Sequence, residues 1–402
     1  MAYRTEVHFI TAGHPLFQYC SDTCRKSKNL YNYANYLIRQ QFFYLETFLP
    51  YDGKVDSLYF QVKHHEAYKA LPAQTAQQTL RKLEDNWHAF FAAMREWKVI
   101  PSKFHGMPKP PKYKEKDGRF TAFFTSQQCK IVDGRVRFPK TGFSFKTRVS
   151  EPLQEVRIVP AGNRYKIEVV HGHRVPELRS PEPERVASID LGVNNLVTLT
   201  NNIGEQPIVI NGKIVKSMNQ YFNKKRSKLM GNVGDRGTSD RLWKLTMKRD
   251  HKIGDLMHKA SKFIVRWCIE HGIDTLVVGK NDGWKQGINI GKRNNQHFVA
   301  IPFESLLQKL AYKSEDAGIR FVETDEAYTS KCSFLDGELI GPHDTYLGRR
   351  VKRGLFISGT GIEINADVNG SCNNMRKAFP DAALLVRGDR RCALHPVRID
   401  IT

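Results

Sequence analysis

RVASIDLGVNNLVTLT, residues 185–200, reads as an apolar strand, a sharp turn at Gly192 and a second apolar strand. Asp190 closes the first of these runs, an acid at a strand end just ahead of a glycine turn. Downstream, PIVINGKIV (207–215) reads as a third strand with Asn211-Gly212 as its turn, and a basic helical stretch follows over 217–271. TLVVG (275–279) and IRFVETDE (319–326) are short strand-like runs, and GIEINADVNGSCNNMRKAF (361–379) opens a closing helix. The order β-β-β-α-β-α-β-α predicts an α/β domain over 184–402 with a mixed five-stranded sheet.

Upstream the patterning differs. Residues 1–15 read as a strand and a turn at Gly13-His14-Pro15, 22–48 as a helix threaded with tyrosines and phenylalanines, and 74–97 as a second helix. Most of their aromatics suit helix packing, and any left exposed suit stacking on unpaired bases. PKPPKYKEKDGRF (108–120) cannot be helical through its prolines. The run 120–149 and VRIVPAGNRYKIEVVHG (156–172) alternate as hairpins, with turns at Asp133-Gly134 and Ala161-Gly162-Asn163. These readings place a β-rich module at 1–15 and 119–183 and a helical domain at 16–118, with the Pro-rich 173–185 as a linker.

The chain of 402 residues has a formal net charge of +22, from 63 Lys and Arg against 41 Asp and Glu. Such an excess is self-repelling unless a polyanion neutralises it, and nucleic acid is the commonest such partner. The basic residues cluster, twelve against three acids over both 103–148 and 213–252. No apolar run has transmembrane length and the start is not signal-like, so the expectation is a cytoplasmic, nucleoid-associated protein with no membrane partner. Seven scattered cysteines argue against a disulfide framework, and Cys20 and Cys24, one helical turn apart, read as buried packing.

Phosphodiester cleavage by two metals needs carboxylates converging on two Mg²⁺ ions about 4 Å apart. Asp190 and Asp367, the latter near the start of the last helix, are candidates for such hard-oxygen ligands. Either alone also reads as a turn or cap residue.

Taken together, IDLGVNNLVTLT (189–200), EAYTSKCS (326–333) and INADVNGSCNNMRKAF (364–379) resemble the nuclease of the transposon-encoded TnpB family, related to type V CRISPR effectors. KNLYNYANYLIRQQF (28–42) and PPKYKEKDGRF (110–120) resemble the same family. The resemblance implies a RuvC-like nuclease of RNase H-like fold. It also implies an N-terminal β-module interrupted by a helical recognition domain. The implied activity is Mg²⁺- or Mn²⁺-dependent cleavage of double-stranded target DNA beside a short motif, directed by a guide RNA. The basic helices of 213–252 would face the guide–target heteroduplex.

Two departures stand out. The family carries a Glu where this chain has Gly279, followed by Lys280-Asn281-Asp282. Either the nuclease is dead and the protein is an RNA-guided DNA-binding repressor, or the acid has moved. Adjacent strands lie about 4.8 Å apart, so Glu326, at the same end of the neighbouring strand, would reach the same metals. Asp190, Glu326 and Asp367 are then the catalytic, metal-binding set. Asp282 is a further alternate, and Glu323 and Asp325 are disfavoured because alternation turns them to the other face. The family's zinc ribbon also lacks its cysteine pairs. Around 330–362 only Cys332 and His343 remain, too few for a structural site, so no zinc is expected.

Overall fold

A computed structural model describes residues 2–51, 57–139, 141–233, 239–280, 300–352, 354–382 and 396–401. It falls into two units, Met1–Arg174 and Val175–Thr402.

In the first unit β1 (Ala2–Ile10) runs into α1 (Phe17–Tyr44), the short helices α2 (Leu58–Val62) and α3 (Glu66–Lys69), and α4 (Ala73–Val99). Then come β2 (Ala122–Thr125), the three-stranded meander β3 (Lys130–Val132), β4 (Arg135–Arg137) and β5 (Ser144–Lys146), and the long hairpin β6 (Leu153–Ala161) and β7 (Arg164–His173). β1 pairs antiparallel with β7, closing a sheet of order β1-β7-β6-β2 with the helices inserted between its first two strands in the chain. Asp133 and Gly134 both take positive φ in the β3–β4 turn, as a tight two-residue hairpin requires.

α1 starts at Phe17, earlier than the Asp22 start read from the sequence, because Leu16, Cys20 and Cys24 pack with Phe124, Ile158 and Ile167 beneath the sheet. It ends at Tyr44, not Phe48: the chain turns at Glu46, which has positive φ, and brings Phe48 back onto Trp87 and Phe91 of α4. The second half of α1 and α4 share a core built on Tyr31, Ile38, Leu80 and Trp87, while Tyr36, Phe43 and Tyr44 stay exposed. The Pro-rich segment is strapped along α1. Asn32 exchanges two 2.8 Å hydrogen bonds with the Lys114 backbone, and Asn35 and Lys28 donate to the carbonyls of Pro111 and Lys116. Polar side chains on one side of α1 therefore satisfy the backbone of a segment that is neither strand nor helix.

The second unit is built on β8 (Val186–Leu191), β9 (Asn195–Asn201), β10 (Ile208–Asn211), β11 (Thr275–Lys280) and β12 (Arg320–Asp325). Its helices are α5 (Lys213–Val233), α6 (Asp240–Glu270), α7 (Phe303–Asp316) and α8 (Ala366–Ala378). The small strands β13 (Arg349–Lys352), β14 (Leu355–Ile357) and β15 (Glu363–Ile364) form a separate meander, and β16 (Val397–Ile399) closes the order.

The sheet has six strands, β12-β11-β8-β9-β10-β16, not five. The extra strand, Val397–Ile399, lies parallel to β10 and is too short to stand out by alternation. Asn211-Gly212 is not a hairpin turn. Asn211 ends β10 and its Oδ1 accepts from the Lys213 amide at the start of α5. The basic stretch is two helices rather than one, α5 beginning at Lys213. One sheet face, through Ile189, Leu276 and Val278, packs on α6 and α7; the other, through Val186 and Val277, packs on α8. Asp282, Trp284 and Phe298 lie outside the described residues. Among those described, no helix is long and apolar enough to cross a membrane.

Candidate active site

Alternation along β8 puts Asp190 on the side of Val186 and Ser188, facing α8. Ser371 of α8 donates to the Ser188 carbonyl at 2.8 Å, and a Cβ built on Gly370 would lie 3.5 Å from the Asp190 carboxyl carbon. β11 and β12 run parallel to β8, with Gly279 opposite Thr324. Val322 packs on the α8 side, so Glu326, just past the end of β12, returns to that side. The carboxyls of Asp190 and Glu326 share a hydrogen bond.

The Asp190 side chain keeps a small opening to solvent, but protein surrounds it at longer range. Burial, then the hydrogen bond and charge of Glu326, then the charge of Asp367, raise its pKa well above the ordinary carboxylate value, while Arg350 pulls the other way. Asp367 lies in the first turn of α8, whose cap is Asn365: its Oδ1 accepts from the amides of Asp367 and Val368. Asp367 is therefore not the cap. Asn195, at the start of β9, donates to its Oδ2 at 2.7 Å and Arg350 of β13 to its Oδ1 at 3.2 Å.

The alternates are engaged elsewhere. Glu323 pairs with Lys280 at 2.9 Å and Asp325 with Lys377 at 2.7 Å. The Lys377 hydrogen bond holds Asp325 below its usual range. Gly279 faces α8 so closely that an added Cβ would stand 2.3 Å from Asn374 Nδ2. Asn195, Arg350 and Asn374 were not singled out from the sequence. Asn194-Asn195 in the first turn and the doubled Asn373-Asn374 were the only traces of them.

Among the described residues no three His, Cys, Asp or Glu side chains form a ready-made metal cage, and Asp367 spends both oxygens on Asn195 and Arg350. The donor chemistry nonetheless fits a hard divalent cation. A carboxyl pushed toward its neutral form by burial and then by two neighbouring acids is an arrangement that positive charge relieves.

In the ribbon-like segment Cys332 is buried against the Gly341 carbonyl, and half-buried His343 bonds the Leu339 carbonyl. Asn369 and Asn373 of α8 both donate to the Cys332 carbonyl, at 2.9 and 2.7 Å. Glu338 accepts from the amides of Ser333 at 2.6 Å and Leu347 at 2.8 Å.

Residues 164–285 match the OrfB_IS605 family, described as a probable transposase, and residues 303–374 match the TNB domain of Cas12f1-like proteins. The TnpB-like protein ORF457 of Acidianus two-tailed virus is 25% identical over 399 residues, covering 88% of this chain and 81% of that one. The CRISPR-associated endodeoxyribonuclease Cas12f1 of Sulfoacidibacillus thermotolerans is 25% identical over 214 residues, 49% of this chain and 47% of its own. A Cas12f1–sgRNA–target DNA complex shares the fold at TM-score 0.52 and 13% identity, over 89% of this chain and 82% of that one. The mini-RNA-guided endonuclease CRISPR-Cas_phi3 shares it at 0.51 and 10%, over 95% and 92%. The first family match contains Asp190 and the second contains both Glu326 and Asp367, and on these findings the chain is similar to TnpB-like proteins and to the Cas12f1 type V effectors.

Proposed function

We propose that this protein is an RNA-guided endonuclease that cleaves double-stranded DNA beside a short motif, with Asp190, Glu326 and Asp367 as its catalytic carboxylates. The observation that carries this reading is the Asp190–Glu326 contact within reach of the Asp367 charge, on one face at one end of a sheet. The strand order β10-β9-β8-β11-β12, with only β9 antiparallel to its neighbours, supports an RNase H-like, RuvC-type nuclease for the second unit. The first unit is read as a β-rich wedge-like module with an inserted helical recognition domain.

The three acids would hold Mg²⁺ or Mn²⁺, which when bound supplies an activated water and steadies the leaving oxygen. This chain's own groups do the rest. Asn195 and Arg350 orient Asp367, and the Asn365 cap fixes the helix turn that presents it. The Asp190–Glu326 hydrogen bond keeps the two carboxyls within reach of one another. Partners are a guide RNA and target DNA. A cleft of about 350 Å³ between α5 and α6, with Tyr221 and Phe222 beside Lys248, Arg249 and Lys252, supports a nucleic-acid surface there.

The test is to sequence RNA that copurifies with the chain expressed from its own locus, then challenge the complex with a randomised-flank DNA library. Asp190→Ala, Glu326→Ala and Glu326→Gln should abolish cleavage with guide and DNA binding kept, a neutral amide being a poor Mg²⁺ ligand. Tight binding with no cleavage by the wild type in Mg²⁺ or Mn²⁺ would make the protein a guided repressor instead. Cleavage that survives Glu326→Ala but not Asp282→Ala or Asp325→Ala would reassign the third acid.

A further inference from the structure

β8 and β11 are paired up to Ile189 and Val278, where their register ends. Asn374 of α8 stands at that end with no solvent exposure. Its Nδ2 donates to the Ile189 carbonyl at 3.1 Å, which holds the peptide leading into Asp190. That bond fixes the orientation of the amide and leaves Oδ1, which has no hydrogen-bond partner despite its burial. The same amide fills the space above Gly279. A Cβ there would meet Nδ2 at 2.3 Å, the amide carbon at 2.8 Å and Oδ1 at 3.0 Å. Gly279 has no positive φ, so its identity answers to this close approach and not to backbone conformation.

We propose that Asn374 is a positioning residue of the nuclease site. Its amide occupies the place that a side chain on β11 would take, and it locks the end of β8 so that Asp190 faces Glu326. The assignment rests on the endonuclease reading for its consequence and on packing for its geometry. The unpartnered Oδ1 is a cost that an apolar residue of the same shape would avoid, offset by the donor such a residue would withdraw from the Ile189 carbonyl. Asn374 therefore acts through what its Nδ2 holds, with little net stability at stake. Gly279, Asn374 and Glu326 form one exchange: where the helix supplies an amide over β11, the acid is supplied from just past the end of β12 instead.

Two measurements test this on the full chain. The first needs no metal: melting temperatures of Gly279→Glu, Asn374→Ala and the double variant. Gly279→Glu alone should melt lower by several degrees, and the double variant should recover most of that loss, since removing the amide makes room. Additive losses, or a Gly279→Glu variant that melts like wild type, overturn the packing half. The second is Mn²⁺ titration followed by electron paramagnetic resonance on wild type and Asn374→Leu. Removing a group that orients a ligand typically weakens metal binding 10–100-fold. Asn374→Leu should do so with its melting temperature unchanged or raised. Unchanged Mn²⁺ affinity, or a loss matched by a fall in melting temperature, makes Asn374 merely structural. If the pair couples in the melting experiment but wild type takes up no Mn²⁺, the endonuclease reading falls while the packing half stands and the positioning role is refuted.

Discussion

Glu338→Ala should unfasten the ribbon-like segment. The Glu338 side chain, nearly fully buried, accepts the amides of Ser333 and Leu347 and so ties together the two ends of a stretch with little regular structure. Ser333 has no solvent exposure, and a buried amide stripped of its acceptor costs roughly 1–3 kcal/mol. The partly exposed Leu347 amide adds about 1 kcal/mol on the same scale. A combined loss of about 3 kcal/mol corresponds to roughly 6–12 °C in melting temperature for a unit of this length. Glu338→Gln, which keeps one accepting oxygen, should lose about half of that. The assay is calorimetry of the full chain with chelator present, because these hydrogen bonds would do the stapling that zinc does elsewhere. A shift below about 2 °C for Glu338→Ala would falsify the argument, as would recovery of the lost stability on adding zinc, both judged against the same scale. Arg350 enters Asp367 from this segment, so the variant should also lose cleavage before it loses guide binding.

Three further outcomes are expected. Affinity for a guide–target heteroduplex should fall linearly in a log–log plot against salt, and replacing Lys248 and Lys252 by Ala should flatten the slope by about 2, at −0.9 per phosphate contact; an unchanged slope removes the α5–α6 cleft from the nucleic-acid surface. Burial pushes the Glu6 carboxyl up, but hydrogen bonds from Thr147, His8 and Arg148 outweigh it and bring the pKa from 4.5 to about 2, so its stabilisation is full above pH 4.5 and fades as pH falls toward 2. Wild type should thus out-melt Glu6→Gln at pH 6, with the gap closing near pH 2; a gap independent of pH refutes the linkage. Elemental analysis should find less than about one zinc per chain, since Cys332 and His343 are each bonded to a backbone carbonyl; stoichiometric zinc would show the ribbon misread.

The succession of strands along the chain was legible because β8, β9 and β11 are short apolar runs with glycine beside or within them, and β12 starts two residues after Gly318. β16 was not, since three residues at a sheet edge have no period to read. Helix limits moved where tertiary packing overrode local pattern. Leu16 and Cys20 extend α1 into the core beneath the sheet, and Phe48 leaves the helix to cover Trp87. Alternation separates Glu326 from Glu323, whose partner Lys280 lies on β11, but not from Asp325: at the end of β12 that acid pairs with Lys377 of α8, the helix on the Asp190 side, so the ion pair and not alternation sets it apart.

Occupancy of space is the property that a linear reading misses. Gly279 reads as a loss, an acid gone from a strand end. In three dimensions the place is filled by Asn374, ninety-five positions on, and the glycine is the condition for that filling. Nothing in either local sequence marks the pair: glycine at a strand end suggests a bulge or a close approach, and asparagine inside a helix suggests a solvated face. Asn374 has no exposure, so its amide must answer to something buried, and the Ile189 carbonyl beside Asp190 is what it answers to. An acid placed back on β11 would therefore meet an occupied site. If the nuclease is active, the third carboxylate does not come from position 279, and among the described residues Glu326, just past β12, is the acid that reaches Asp190.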